Sequence, residues 1–150
     1  MRTVRAAARV PISPEQAVSA WRDPRRWPSF VEGLQRIEEQ GSDWPAPGSK
    51  VVWHSGAGGR GRVTEKVAES GPGAFSTRVH EERLYGLQTF RAGEDAAGAR
   101  IDLSLEYDLV SGGPLSGLTD VLFIRRALRE ALERTLRRFV VEAEDEAGLR

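Results

Sequence analysis

Between Arg100 and Leu109 the sequence alternates without a break. Ile101, Leu103, Leu105, Tyr107 and Leu109 make one face, and Arg100, Asp102, Ser104, Glu106 and Asp108 make the other. Successive side chains of a strand point to opposite sides. This segment is therefore a strand with one apolar face and one solvated face. A sheet of such strands must bury its apolar side against another element, and the rest of the chain has to supply that cover.

Residues 2–12 alternate as well, with Val4, Ala6, Ala8, Val10 and Ile12 on one side. Ser13-Pro14-Glu15-Gln16 then reads as a helix start. Ser13 is placed to cap, Pro14 suits the first helical position, and Gln16 completes a capping box. This helix stops before Asp23-Pro24, and the stretch up to Phe30 reads as a second short helix or turn. Further strands are expected at Leu34–Gln40, Lys50–His54, Arg60–Ser70, Ala74–Glu82, Leu84–Ala92 and Arg100–Val110. Turns rich in glycine and proline separate them at intervals that favour an antiparallel meander. The face turned inward stays open for the strands between Ala74 and Ala92: either Tyr85, Leu87 and Thr89 or Leu84, Gly86 and Phe90.

One long helix is expected from Leu118 to Ala147. At 100° per residue, Leu118, Val121, Leu128, Leu132, Leu136, Phe139 and Ala143 share a stripe. At 1.5 Å per residue it is about 45 Å long, the only element able to cover the sheet. A curved sheet wrapped on a single helix need not close on it, and the gap would be an apolar pocket. The expectation is an α+β fold of about seven antiparallel strands and a long C-terminal helix, in a single domain spanning 1–150.

Composition narrows the function. The 150 residues include no cysteine, which removes disulfides, thiolate metal sites and thiol nucleophiles together. Twenty-two basic residues balance 22 acidic ones, against the basic excess of a general nucleic-acid binder. No run approaches the roughly 20 apolar residues of a membrane span, and the first residues lack the apolar stretch of a signal peptide. A cytoplasmic protein without stable membrane insertion is expected; oligomeric state is left open.

Several segments together resemble the START-like, or Bet v 1-like (SRPBCC), helix-grip superfamily, in particular its bacterial polyketide cyclase/dehydrase branch. They are Ser13-Pro14-Glu15, Asp23-Pro24-Arg25-Arg26-Trp27-Pro28-Ser29-Phe30, Pro47-Gly48-Ser49-Lys50-Val51, Gly61-Arg62-Val63-Thr64-Glu65-Lys66-Val67, Leu105-Glu106-Tyr107 and Leu122-Phe123-Ile124-Arg125-Arg126. The resemblance covers nearly the whole chain. It implies a hydrophobic ligand held between sheet and helix, with cyclisation or dehydration in some members. Fold analogy alone does not establish chemistry.

The candidate ligand-binding residues are Trp27, Phe30, Trp53, Val63, Glu65, Phe75, Tyr107, Leu118, Leu122 and Arg125. Glu65 shares the inward parity of Val63 and Val67, so it must either pair, with Arg125 as one choice, or solvate at a rim. Tyr107 is inward by the alternation above. Arg125 lies about 20° from Leu132 on the wheel and is expected inside, while Arg126, about 100° further round, is expected outside. His54 and His80, the only histidines, lack a third partner at metal spacing; His80 is placed outward, and His54 points out if Trp53 points inward. No metal and no cofactor are expected. Gly56-Ala57-Gly58-Gly59-Arg60-Gly61 matches a dinucleotide fingerprint by letter, but a strand follows it, so no helix N-terminus receives a phosphate. It reads as a hairpin tip.

Three functions remain open at this stage. The first is a binder of a small hydrophobic or amphipathic molecule, lipid or polyketide-like. The second is a polyketide cyclase/dehydrase-type enzyme using Glu65 or Tyr107 as acid or base. The third is a protein-interaction module with a vestigial cavity. No catalytic residue is assigned.

Overall fold

The computed structural model describes residues 1–56, 58–110 and 118–148. In chain order the elements are β1 (Arg2–Val10), α1 (Pro14–Trp21), α2 (Trp27–Phe30), β2 (Leu34–Gln40), β3 (Lys50–Ser55), β4 (Arg62–Ser70), β5 (Ala74–His80), β6 (Leu84–Asp95), β7 (Gly98–Leu109) and α3 (Leu118–Glu146). The strands form one antiparallel sheet in the order β1-β7-β6-β5-β4-β3-β2. This is the helix-grip arrangement, a curved open sheet with a long C-terminal helix.

Local chemistry sets the element ends. Ser13 Oγ accepts from the Gln16 backbone N–H at 3.1 Å, and Gln16 Oε1 accepts from the Ser13 N–H at 2.9 Å, so the capping box opening α1 is complete. In β7 the alternation holds: Ile101, Leu103, Leu105 and Tyr107 are buried, while Arg100, Asp102 and Glu106 are exposed. Register carries this face across the sheet. Phe90 stands opposite Leu103, Gly86 opposite Tyr107, and Phe75 opposite Phe90. That settles the open parity in favour of Leu84, Gly86 and Phe90 inward, with Tyr85 exposed.

Curvature has visible causes. Register shifts interrupt β2–β3 and β4–β5, and such bulges bend and twist a strand. At Gly86 the backbones approach so closely that a Cβ would lie 2.0 Å from the Glu106 carbonyl oxygen. Only glycine permits that approach.

The helix packs chiefly along β1 and against α2, not over the middle of the sheet. One aromatic cluster joins the layers. Trp21 stacks on Phe90 with centroids 4.6 Å apart and on Phe30 at 5.4 Å, and Phe139 meets all three edge-on. Edge and offset contacts of this kind add to simple burial.

The helix phase differs from expectation at one end. Leu128, Leu132, Leu136, Phe139 and Ala143 are buried as the stripe requires. Toward the N-terminal end, however, the buried positions are Ile124 and Leu128, and Arg125 is exposed, as is Leu122. A straight helix crossing a twisted sheet presents a contact line that precesses around its axis. Arg125 and Ala143 have the same azimuth, yet only Ala143 meets the sheet side. Arg126 is exposed as expected. Leu118 begins α3, but its side chain lies outside the described residues.

Phe139→Ala should cost about 3–5 kcal/mol in a urea titration, as for other buried aromatic truncations. Gly86→Ala should cost about 1–3 kcal/mol through backbone displacement. A loss below about half a kcal/mol for either would contradict the packing described.

Candidate functional site

Because α3 leans toward β1, a space remains between it and β3, β4 and β6. A cavity of about 330 Å³ remains, within the size range of small-molecule sites. Trp21 and Trp27 close one end, Trp53 forms the sheet-side wall, and Ala127, Ala131 and Leu132 form the helix side. The hairpin tip between β3 and β4 reaches the same space through Gly58 and Gly59. The glycine run thus sits in the hairpin that the sequence suggested, followed by β4 and not by a helix.

The cavity wall combines apolar side chains with polar and charged ones, and three arginines, Arg60, Arg83 and Arg134, line it. Glu65 is only 6% exposed. Its Oε2 accepts from Trp53 Nε1–H at 2.7 Å, and its Oε1 accepts from Thr77 Oγ1–H at 2.8 Å. A buried carboxylate without partners would be prohibitive; two inward donors on neighbouring strands solve that locally. Glu65 therefore pairs with Trp53 and Thr77, not with Arg125, which is on the outside. Gln88, inward on β6, also lines the space.

Across from Glu65 along the Trp53 ring lies Arg60. Its guanidinium sits 5.5 Å from the ring centroid, a cation–π contact. Its Nε–H donates to Oε2 of Glu81, which is buried. Its Nη2 is buried and has no hydrogen-bond partner among the described residues. At the opposite end the Glu32 backbone N–H donates to Thr135 Oγ1 at 2.9 Å, and the Glu32 carboxylate holds Arg134 and Arg138. These contacts pin α2 to α3 and fix that edge of the cavity.

Other expected residues fall elsewhere. Phe30, Val63 and Phe75 are buried core side chains that do not line this cavity. Tyr107 is 0% exposed, does not line it either, and its hydroxyl has no partner among the described residues. Leu122 and Arg125 are exposed, as the helix phase dictates. Trp27, Trp53 and Glu65 come together as expected. Arg60, Thr135 and Gln88 were missed. Arg60 stood in the glycine run read as a hairpin tip and at the start of the expected strand Arg60–Ser70, whereas β4 begins at Arg62 and leaves Arg60 in the connection.

His80 is exposed, and His54 faces outward beside Glu38. His54 Nε2 sits 2.8 Å from the Glu38 carboxylate, and this bond, with a second from Arg62, holds the Glu38 carboxyl below its usual range. The cluster lies on the outer face of β2–β4, away from the cavity. Among the described residues no group of acids and histidines is arranged to hold a metal, and no helix is long and apolar enough to cross a membrane.

A family model described as "Polyketide cyclase / dehydrase and lipid transport" matches residues 1–144. The chain belongs to this family. Solved structures share its fold. The protein TTHA0849 from Thermus thermophilus superposes with a TM-score of 0.80 over 97% of this chain and 99% of that one, at 17% identity. SA2116 from Staphylococcus aureus, a protein of unknown function, gives 0.74 over 98% and 96%, at 12% identity. StfQ, a di-domain ARO/CYC from the steffimycin biosynthetic pathway, gives 0.78 at 12% identity; 97% of this chain covers 51% of that one. No curated protein matches the chain. For a polyketide cyclase/dehydrase and lipid transport family member, the position of the cavity between sheet and helix is the feature the resemblance led one to expect.

Two substitutions test the interior chemistry. Glu65→Leu strands the Trp53 and Thr77 donors and should cost about 1–3 kcal/mol for each one left unpaired. Tyr107→Phe removes a hydroxyl that has no partner among the described residues, so stability should be unchanged or rise by up to about 1 kcal/mol. A loss above about 1 kcal/mol in thermal or urea unfolding of Tyr107→Phe would show that the hydroxyl is bonded.

Proposed function

We propose that this protein binds a small amphipathic molecule in the cavity between sheet and α3. Its apolar body lies against Trp27, Trp53 and Leu132, and an anionic or carbonyl oxygen meets Arg60. The observation that carries this reading is the Arg60 guanidinium at the cavity wall. It spends Nε–H on Glu81 and its π-contact on Trp53, and keeps a buried Nη2 without a partner among the described residues. A buried N–H left unmatched costs about 1–3 kcal/mol, which a ligand oxygen would recover. The family description, which includes lipid transport, fits a ligand of this kind.

A second reading, a cyclase or dehydrase reaction, is favoured by the position of Glu65 on the cavity wall. Each Glu65 oxygen has accepted one bond and has a further lone pair for a substrate proton. Tyr107 offers no support for it, since it does not line the cavity. Conversion of an added poly-β-ketone by the wild type but not by Glu65→Gln would favour the enzyme over the binder.

Calorimetric titration with decanoate and with decanol separates head-group recognition from apolar burial. Arg60→Leu alone would leave Glu81 buried and unpaired, a change that commonly costs about 3–5 kcal/mol. Arg60→Leu with Glu81→Leu removes both charges and keeps the fold. The wild type should prefer decanoate by roughly 1.5–3 kcal/mol, the scale of a hydrogen bond to a charged group, and the double variant should lose that preference. Equal affinity of the wild type for the two probes would overturn the role given to Arg60.

A further inference from the structure

Leu122 and Phe123 are 59% and 71% exposed, side by side near the start of α3. Leu122, Arg125, Arg126 and Arg129 stand at i, i+3, i+4 and i+7, one stripe down the helix, and all four are exposed. Arg126 is paired with Glu130 at 3.1 Å, and Arg129 lies 4.0 Å from Glu133. Phe123 shares a small hollow with Arg83, Leu84 and Ile124. Arg125 and Arg83 have no ion pair among the described residues, and both are exposed. Charge is segregated along the helix. From Val121 to Arg138 it carries six arginines and two glutamates; from Phe139 to Glu146 it carries four acids and no base. The chain as a whole is neutral, so this excess is local.

We propose that this end of α3 docks the protein on an anionic lipid bilayer. Leu122 and Phe123 enter the headgroup layer, and Arg125, Arg126 and Arg83 meet lipid phosphates. Apolar side chains flanked by arginine are the pattern of interfacial helices. Guanidinium forks match phosphate oxygens, and the arginine stem follows the apolar side chain inward while its head stays at the phosphate level. Two apolar side chains are too few for the core of a standard protein–protein interface, but they suffice as an anchor when cations surround them. The attachment is peripheral and reversible, since so small an apolar area falls far short of an inserted helix. The hollow beside Phe123 shares Arg60, Arg83, Ala127 and Ala131 with the cavity between sheet and α3, so docking turns that side of the cavity toward the bilayer. Attachment itself does not depend on what the cavity holds.

Co-sedimentation with vesicles tests this, using pure phosphatidylcholine and phosphatidylcholine mixed with phosphatidylglycerol. The wild type should pellet with the anionic vesicles and not with the neutral ones, and added salt should release it. Arg125→Gln with Arg126→Gln should lower partitioning about 30-fold, roughly fivefold for each arginine. Leu122→Ser with Phe123→Ser should abolish it while leaving thermal unfolding and decanoate binding in the cavity unchanged. These side chains are exposed, so their loss should not unfold the chain. A wild type that stays in the supernatant, or variants that pellet like the wild type, would overturn the proposal. So would a wild-type dimer in light scattering that Leu122→Ser with Phe123→Ser converts to a monomer, because the patch would then be a self-association face.

Discussion

Seven strands share one apolar face, and among the described residues the only long element available to cover it is α3. A helix is about 10–12 Å wide with its side chains, while neighbouring strands are about 4.8 Å apart. One helix therefore covers two or three strands and cannot cover seven. Bulges and the close approach at Gly86 curl the sheet toward the helix, which reduces the mismatch without removing it. At the β1 side the helix meets the sheet directly. The Trp21, Phe30, Phe90 and Phe139 cluster fills the next stretch. Beyond it, in front of β3, β4 and β6, no element remains among the described residues, and the cavity is the residue of that shortage.

Polar groups inside such a space are costly unless each has a partner, and the sheet supplies partners in an uneven way. Glu65 is satisfied by Trp53 and Thr77 from adjacent strands, so the group that sequence reasoning singled out as chemically suspicious also orients the Trp53 wall. Arg60 is the less satisfied of the two. Glu81 and the Trp53 ring hold it in place, yet one of its nitrogens faces no partner among the described residues. Replacing a buried ion pair by apolar residues is often neutral or stabilising. Stability alone therefore gives weak reason to keep Arg60 and Glu81 here, whereas a polar anchor for a ligand gives a direct one.

Much of the fold was legible because it rests on short-range rules. Alternation in β1 and β7, the capping box at Ser13 and the turn signals between strands each depend on neighbours in sequence, and the elements fall where those rules put them. The inward residues of β7 followed from the same alternation. The site was only half legible. Trp53 and Glu65 face inward on β3 and β4 and meet Trp27, which the resemblance put at one end of the grip, but Arg125 and Leu122 are exposed. Wheel arithmetic assumes one contact azimuth for a whole helix, and a 29-residue helix on a twisted sheet does not keep one. Tyr107 was correctly placed inside but behind the wall, because parity gives a face and not a depth. Arg60 depended on a hairpin folding over the cavity mouth, a tertiary fact with no local signature.

A ligand is proposed to occupy the space in front of β3, β4 and β6. The four tryptophans make that directly observable, since Trp21, Trp27 and Trp53 line the cavity and Trp44 does not. Trp53 Nε1–H is held by Glu65 at the wall, whereas Trp44 Nε1–H is bonded to the Arg22 carbonyl away from it. A nitrogen–proton correlation spectrum recorded during titration with decanoate should show the Trp53 and Trp27 indole signals moving in a saturable way while the Trp44 signal moves least. Indole signals that stay fixed at saturating decanoate, or a response confined to Trp44, would contradict the claim.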